Sequence, residues 1–407
     1  MTKIEWTHVP DGSGGFKKGE TINPLVGCTE ISPACRNCYA AGIAHRSMSP
    51  QHLGLTVKRA NGSHWNGQIR EVPSHLAKPL TWRKPRGIFW GSMTDLAHES
   101  RMATEEGRRY LAACFGVMAA TPQHTHLVLT KRPGELRRWF DWLHTMASQH
   151  MTGVFADEVI DRCISSAVDI LYPAREGKSA DLMIDRWNWS RFGEYAFEAC
   201  DESEVAPINR KIERMRNGPQ IDEDAWPLRN VWVGCTAEDQ TWLDRRIDDL
   251  LAIPAAVHYL SVEPMLGPVT LPPSFLERGS QSWVIAGGES GHGARPPHID
   301  WFRRLRDQCI EAGVPFLFKQ WGEFAPWVTE EWFTRGGAER HPHTWVANDG
   351  RSGDCWIVDD DGNWSNWTGD PPLGVEAAAA IMSRVGKAEA GRMLDGRTWD
   401  EFPDGSI

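Results

Sequence analysis

The sequence predicts an α/β protein whose parallel strands roll into a (β/α) TIM-type barrel, complete or partial. Three observations predict it. Six short runs are apolar almost throughout, rich in β-branched and aromatic residues and bounded by glycine or proline, as strands buried on both faces of a parallel sheet read. Stretches with helical spacing lie between them. Each run ends in a polar tip, and in barrels the C-terminal strand ends carry the active site.

The expected strands, in order, cover residues 87–95, 126–132, 231–236, 257–263, 283–289 and 315–321. A further strand near the first cysteines would make seven or eight units. Residues 241–251 place Leu243, Ile247, Leu250 and Leu251 on one helical face, with Asp and Arg on the other. Residues 299–312 do the same with Phe302, Leu305, Cys309 and Ile310, and Gly313 followed by Pro315 ends that helix. Two regions break the rhythm. Residues 145–228 read as a helical subdomain inserted in a barrel of residues 1–323, and contain Trp187-Asn188-Trp189. Residues 324–407, rich in Trp, Asp and Gly, read as a C-terminal extension that turns helical from about Gly374 to Leu394.

Composition narrows the class. Of 407 residues, 41% are hydrophobic and 24% charged, ordinary globular usage. No run of 18 apolar residues occurs and the N-terminus lacks an apolar signal region, so neither a membrane span nor secretion is expected. Nine cysteines, an odd number, suit a reducing cytoplasm better than a disulfide scaffold. The net charge of −10 argues against a broadly basic, DNA-coating surface. Arg83-Lys84-Pro85-Arg86, Lys131-Arg132, Arg137-Arg138 and Arg303-Arg304-Leu305-Arg306 could still build a local basic groove.

Two features stand out: 21 tryptophans, and three cysteines, Cys28, Cys35 and Cys38, within eleven residues. The other six cysteines are single and read as small buried hydrophobes. A C-x2-C pair with a third thiol in the same loop gives three ligands for a metal. A 4Fe–4S cluster held by three cysteines leaves one iron open, able to chelate S-adenosylmethionine. A structural zinc wants four ligands, and His45 could be the fourth. Spacing alone leaves cluster, zinc and buried thiols all open.

The strand tips carry Ser92, Thr94 and Asp95; Lys131 and Arg132; Thr236 and Glu238; Glu263; Glu289 and Ser290; and Lys319, Gln320 and Glu323. Gly287-Gly288-Glu289 would bring backbone close to a ligand beside one carboxylate.

Longer stretches carry a resemblance. Asn23-Pro24, Gly27-Cys28-Thr29 and Ser32-Pro33-Ala34-Cys35-x-x-Cys38-Tyr39-Ala40 are similar to the phage three-cysteine-motif family, phage and prophage proteins related to the radical S-adenosylmethionine enzymes. So are Ile4-Glu5-Trp6-Thr7, Ser92-Met93-x-Asp95-Leu96, Leu129-Thr130-Lys131-Arg132-Pro133, Ser261-Val262-Glu263-Pro264 and Gly287-Gly288-Glu289-Ser290-Gly291-His292-Gly293-Ala294-Arg295-Pro296. The likeness continues through Phe318-Lys319-Gln320-Trp321-Gly322-Glu323, Gly386-Lys387 and Leu394-Asp395-Gly396-Arg397.

The resemblance implies a barrel, a 4Fe–4S cluster on Cys28, Cys35 and Cys38, and S-adenosylmethionine cleaved to a 5′-deoxyadenosyl radical. With that chemistry at the mouth, the strand tips are expected to supply Lys131, Glu263 and Lys319 to catalysis and Ser92, Thr94, Asp95, Glu238, Gly287, Gly288 and Glu289 to cofactor contact. The phage context implies a nucleic-acid base as target, in hypermodification of phage DNA (such as rearrangement of a modified thymine) or base repair. Surface tryptophans and barrel-mouth arginines would hold the flipped nucleotide. It also implies the cytoplasm of an infected or prophage-bearing host, and room for a phage-encoded protein partner. The chain departs from the pattern in places: the first cysteine gap is six residues instead of three, Asn37 precedes the last cysteine where an aromatic is usual, and the Gly-Gly-Glu comes late. Residues 8–20 look inserted, Ile22 stands where the family has Trp, and 145–228 is longer than the family needs. The competing expectation is a zinc-stapled, non-catalytic partner-binding protein. An ordinary hydrolytic barrel lacks a nucleophile elbow or an HExxH pair.

Overall fold

The computed structural model describes residues 4–60, 62–149, 155–171, 226–326, 339–340, 344–346, 352–359, 361–366 and 379–403. Seven parallel strands form one sheet: β1 (Lys18–Ile22), β2 (Arg86–Trp90), β3 (Thr125–Thr130), β4 (Val231–Thr236), β5 (Val257–Val262), β6 (Ser282–Gly287) and β7 (Phe316–Gln320). Each pairs with the next in sequence, so the sheet winds in one direction and curls into a partial α/β barrel. The expected strands are all present, and the additional one is β1, just before the cysteines.

Strand alternation sorts side chains between two cores. Phe89, Leu127, Trp232, Val257, Tyr259, Trp283, Ile285 and Leu317 face the concave side and pack there with Trp6 and Val9. Ile88, Trp90, Val128, Val233, Cys235, Leu260, Val284 and Phe318 face the helices. The N-terminal turn Glu5–Thr7 touches β1, β2 and β7, so it fills the gap between the sheet's two ends. The exposed edge of β7 is covered by the C-terminal segment: Phe318 N–H donates to Trp399 O and Glu401 N–H to Phe316 O. An edge strand covered in this way is closed to pairing with other chains.

The main helices are α1 (Tyr39–Arg46), α2 (Glu105–Ala119), α3 (Pro133–Gln149), α4 (Phe155–Leu171), α5 (Gln240–Leu251) and α6 (Ile299–Ala312). Thr104 and Asp239 cap α2 and α5 by accepting backbone N–H bonds, and Gly313, at φ 67°, ends α6 as expected. None of the described helices is long and apolar enough to cross a membrane.

α4 lies within the stretch expected to be an inserted subdomain, and it belongs to the main core: Val159, Ile160, Cys163, Ile164 and Ala167 are buried there. Residues 172–225, with Trp187 and Trp189, lie outside the described residues. α2 and α4 cross at Gly116, where a Cβ would land on the backbone carbonyl of Cys163. Gly116→Ala is therefore expected to destabilise the fold by about 1–3 kcal/mol through overpacking, read as a lower urea midpoint at unchanged slope.

The C-terminal extension corrects one expectation. In place of a helix over 374–394 it holds the strand Ala379–Arg384 and the single turn Lys387–Ala390. That strand joins a second, antiparallel sheet with Phe324–Pro326 and Ser352–Asp359. The helical reading of this alanine-rich stretch fails because sheet partners on both sides bind its backbone.

Among the described residues, most tryptophans are pillars of these cores. Trp90 donates to His126 Nδ1 at 2.9 Å, Trp139 to Arg108 O at 2.9 Å, Trp321 to Met393 O at 2.8 Å and Trp399 to Leu394 O at 3.0 Å. Buried indoles with a satisfied N–H are a large hydrophobic contribution without an orphaned donor. Among the described residues only Trp364 is strongly exposed.

Candidate active site

All the expected polar tips lie at the C-terminal end of the parallel sheet, and the cysteine loop lies across them. After β1 the chain passes through Gly27, whose N–H donates to Met93 O at the β2 tip, and then through Cys28. A 3-10 turn, Pro33–Asn37, carries Cys35, and Cys38 is the N-cap of α1.

Three tips hold this loop down, and a fourth braces one of them. Beyond β4, Glu238 is fully buried and accepts from Ser32 Oγ at 2.5 Å, from Arg246 at 2.8 Å and from Lys131 Nζ. Beyond β6, Glu289 accepts from Asn37 Nδ2 at 3.1 Å and from Arg295 through Nε at 2.7 Å and Nη2 at 2.6 Å. Beyond β3, Arg132 donates to Thr29 Oγ1 at 2.6 Å and Thr29 O at 3.2 Å, and its Nη1 points at Cys28 Sγ, 3.8 Å away. Beyond β2, Asp95 accepts from Arg132 at 3.0 Å, from Thr130 Oγ1 at 2.7 Å and from Lys131 N at 2.9 Å.

These contacts give several of the expected residues partners within the protein. Asp95, Glu238 and Glu289 are buried and accept hydrogen bonds from protein groups, and Glu238 and Glu289 thereby orient the cysteine loop. Lys131 is spent on Glu238. The physical reason is burial: charges removed from water at the strand tips pair with one another first. The two glycines are closely packed. A Cβ on Gly288 would strike Trp321 O, and one on Gly287 would stand 2.7 Å from Glu263 Oε1. Their lack of side chains leaves room for these protein neighbours.

Three groups still face the mouth. Lys319 Nζ and Glu263 Oε1 form a half-buried pair at 3.0 Å, with Ser261 Oγ donating to Glu263 Oε2 at 3.4 Å. Thr94 Oγ1 is buried with no hydrogen-bond partner, beside the first cysteine's strand: Thr94 bridges Gly27. Ser92 O accepts from Tyr39 OH at 3.2 Å, while its hydroxyl donates to Asn23. Lys319, Glu263, Thr94 and Ser92 lie together at this end of the sheet. Reasoning from sequence gave no role to Ser32, Asn37, Arg246 or Arg295; Ser32, Arg132 and Arg295 stood inside quoted motifs without one.

The thiols are coupled electrically, Cys28 to Cys38 and Cys38 to Cys35. Burial pushes the Cys28 thiol up to about 12, Asp95 adds to this, and Arg132 opposes it. Burial also raises Cys38, while the Ala41 and Ala40 amides and the Trp65 indole, which donate to its sulfur, pull it back. Thiols this reluctant to ionise are poor unaided nucleophiles, whereas a bound metal centre deprotonates them outright. Of the single cysteines, Cys114, Cys163, Cys235 and Cys309 are buried as expected; Cys200 lies outside the described residues. His45, the expected fourth zinc ligand, is exposed and bonds Thr56 Oγ1 at 3.1 Å. Among the described residues, no three His, Cys, Asp or Glu side chains are set to hold a single metal ion.

Glu238 gives the loop a pH dependence. Burial alone would raise its carboxyl, but Lys131 and Arg246 and the Ser32 hydroxyl together hold it below the usual range. A carboxylate lowered in the folded state contributes stability above its unfolded pKa and loses it as pH falls through the folded one. Protection of Cys35 in the metal-free protein from 4,4′-dithiodipyridine is therefore expected to stay level from neutral pH down to the ordinary carboxylate range and to fall below it. Glu238→Gln should lower that protection already at neutral pH.

The basic pairs that could have built a local groove are mostly tied to carboxylates of their own surroundings. Arg137 pairs with Asp249, Arg138 with Glu135, and Arg303 and Arg306 with Asp395. Arg83 and Lys84 precede β2, at the end of the sheet away from the cysteines.

A family model described as "Protein of unknown function (DUF5131)" matches residues 1–403. No curated protein and no solved structure matches the chain.

Proposed function

We propose that this chain, which belongs to the DUF5131 family, is a radical S-adenosylmethionine enzyme built on a TIM-type partial barrel and working in the reducing cytoplasm of a phage-bearing host. The observation that carries this reading is the clamped loop: three thiols held over the C-terminal mouth of a parallel barrel by Ser32–Glu238, Asn37–Glu289 and Arg132–Thr29. The donor set fits an iron–sulfur cluster. Three half-buried thiols lie on one loop, and N–H groups aim at two of the sulfurs. A tetrahedral zinc would draw its thiolates to about 3.8 Å from one another, given Zn–S bonds of about 2.3 Å. A cluster instead spreads its ligands over separate irons.

Cys28, Cys35 and Cys38 would hold the cluster, and Thr94, with its unpaired hydroxyl, would meet S-adenosylmethionine. When bound, the pair supplies a 5′-deoxyadenosyl radical by one-electron reductive cleavage of the sulfonium. The chain's own residues bind, orient and exclude water. Arg132 keeps Cys28 in place, the loop covers the mouth, and the Lys319–Glu263 pair presents a donor beside an acceptor inside it. Such a pair matches the hydrogen-bonding edge of a nucleobase. A nucleobase, free or within a strand, is the proposed substrate.

Anaerobic reconstitution tests the class. About four irons per chain and reductant-dependent release of 5′-deoxyadenosine are expected. A colourless protein that keeps one zinc per chain in air would instead support the zinc-stapled reading. Gly287→Ala probes the mouth: its Cβ, 2.7 Å from Glu263 Oε1, must displace that carboxylate from Lys319. Product formation is expected to fall by up to about 100-fold with the iron content unchanged.

A further inference from the structure

We propose that the exposed face of α1 and its neighbouring hairpin is a docking surface for a small acidic one-electron carrier protein. The proposal rests on reading the cysteine loop as a cluster site, because a cluster consumed by reductive chemistry must be recharged from outside.

The charge of this region is unlike the rest of the chain. Residues 31–70 contain Arg36, Arg46, Lys58, Arg59 and Arg70 and no Asp or Glu, in a protein of net charge −10. Arg70 is used internally, donating to Pro50 O at 2.6 Å and Leu53 O at 2.9 Å. Arg36, Arg46, Lys58 and Arg59 are exposed. No carboxylate among the described residues pairs with them.

The same region carries exposed apolar side chains. Tyr39 and Ile43 stand one turn apart on α1 and are 58% and 44% exposed; Arg46 continues the stripe. The hairpin of Thr56–Arg59 and Gly62–Trp65 packs against α1 and adds Val57, and the segment between contributes Met48 and Leu53. An apolar patch rimmed by unpaired cations has the composition of a protein interface.

The patch also chooses between two anionic partners. Nucleic acids are held by hydrogen bonds to phosphate and by stacking on aromatic rings. Here four of the five exposed apolar residues are aliphatic, which favours a protein with an acidic rim. Its place fits electron delivery, since Arg36 follows Cys35 and Tyr39 follows Cys38 directly. In the encounter the carrier is oxidised by one electron and the cluster reduced by one; no bond forms or breaks. Redox encounters are typically small and steered by charge, so complementarity matters more than area.

The test uses the full-length reconstituted protein and, as probe, an acidic flavodoxin. Binding is measured by calorimetry at low and at physiological salt for wild type, for Arg46→Glu/Lys58→Glu, and for Arg83→Glu/Lys84→Glu, which makes the same charge change at the other end of the sheet. The first variant is expected to weaken binding at least about tenfold, the second to leave it unchanged, and salt to weaken the wild type. Dithionite-driven release of 5′-deoxyadenosine should be equal in all three. Equal binding by the first variant and wild type overturns the proposal, as does equal weakening by both variants. Loss of single-stranded oligonucleotide binding in the first variant, with flavodoxin binding intact, would overturn it in favour of a nucleic-acid surface. Absence of dithionite-driven release in the wild type would instead refute the radical reading, independently of the binding result.

Discussion

Cys35→Ala is expected to reduce iron loading to below about one per chain and 5′-deoxyadenosine release by at least about 100-fold, because two remaining thiolates cannot retain a cluster against solvent. The fold should survive. Cys35 is only half-buried, and its thiol has one weak neighbour, Ser32 Oγ at 3.6 Å. Cys114→Ala is the matched control: that thiol is fully buried against the helices, so its removal costs stability through a small cavity and leaves iron unchanged. Iron and sulfide analysis beside a cleavage assay separates the two. Unchanged cleavage in the Cys35 variant would end the radical reading.

Arg132→Met is expected to cost about 3–5 kcal/mol, the largest single loss of stability at the site. Arg132 and Asp95 are 7% and 5% exposed and pair at 3.0 Å. Glu99 and Thr29 share the same guanidinium. Removing the cation leaves the Asp95 carboxylate dry and unbalanced. A buried charge without its partner is costlier than the pair was favourable. Adding Asp95→Asn should recover a substantial part of the loss, the signature of coupled neighbours. Arg132→Lys should keep the charge but lose the fork that reaches Thr29 and Cys28 together. Denaturant unfolding of the four proteins checks this, and a loss below about 1 kcal/mol for Arg132→Met would mean that water reaches Asp95.

The strands were legible because parallel strands buried on both faces leave uninterrupted apolar runs, and 231–236 and 257–263 match β4 and β5 almost residue for residue. Helix α6 was legible to its last residue, since its apolar spacing and Gly313 are both local signals. The strand Ala379–Arg384 was not, because its alanine-rich sequence has no strong preference and its partners Phe324–Pro326 and Ser352–Asp359 are distant in sequence. At the site, the cysteines were evident from spacing, whereas Ser32 and Asn37 were not. Nothing local marks a serine as the partner of a carboxylate 206 positions away.

The sequence by itself determined the α/β class, the order of the strands and the fact that chemistry-bearing residues gather at the strand ends. Periodicity, glycine punctuation and motif spacing are short-range properties, readable along the chain. Only the tertiary structure decided which of those residues remain free. Once the sheet curls and the cysteine loop closes over it, Asp95, Glu238 and Glu289 lose water and take the nearest cations and hydroxyls. Lys319 and Glu263 are left facing the mouth. Desolvation sets that partition, and desolvation depends on neighbours that folding alone brings together.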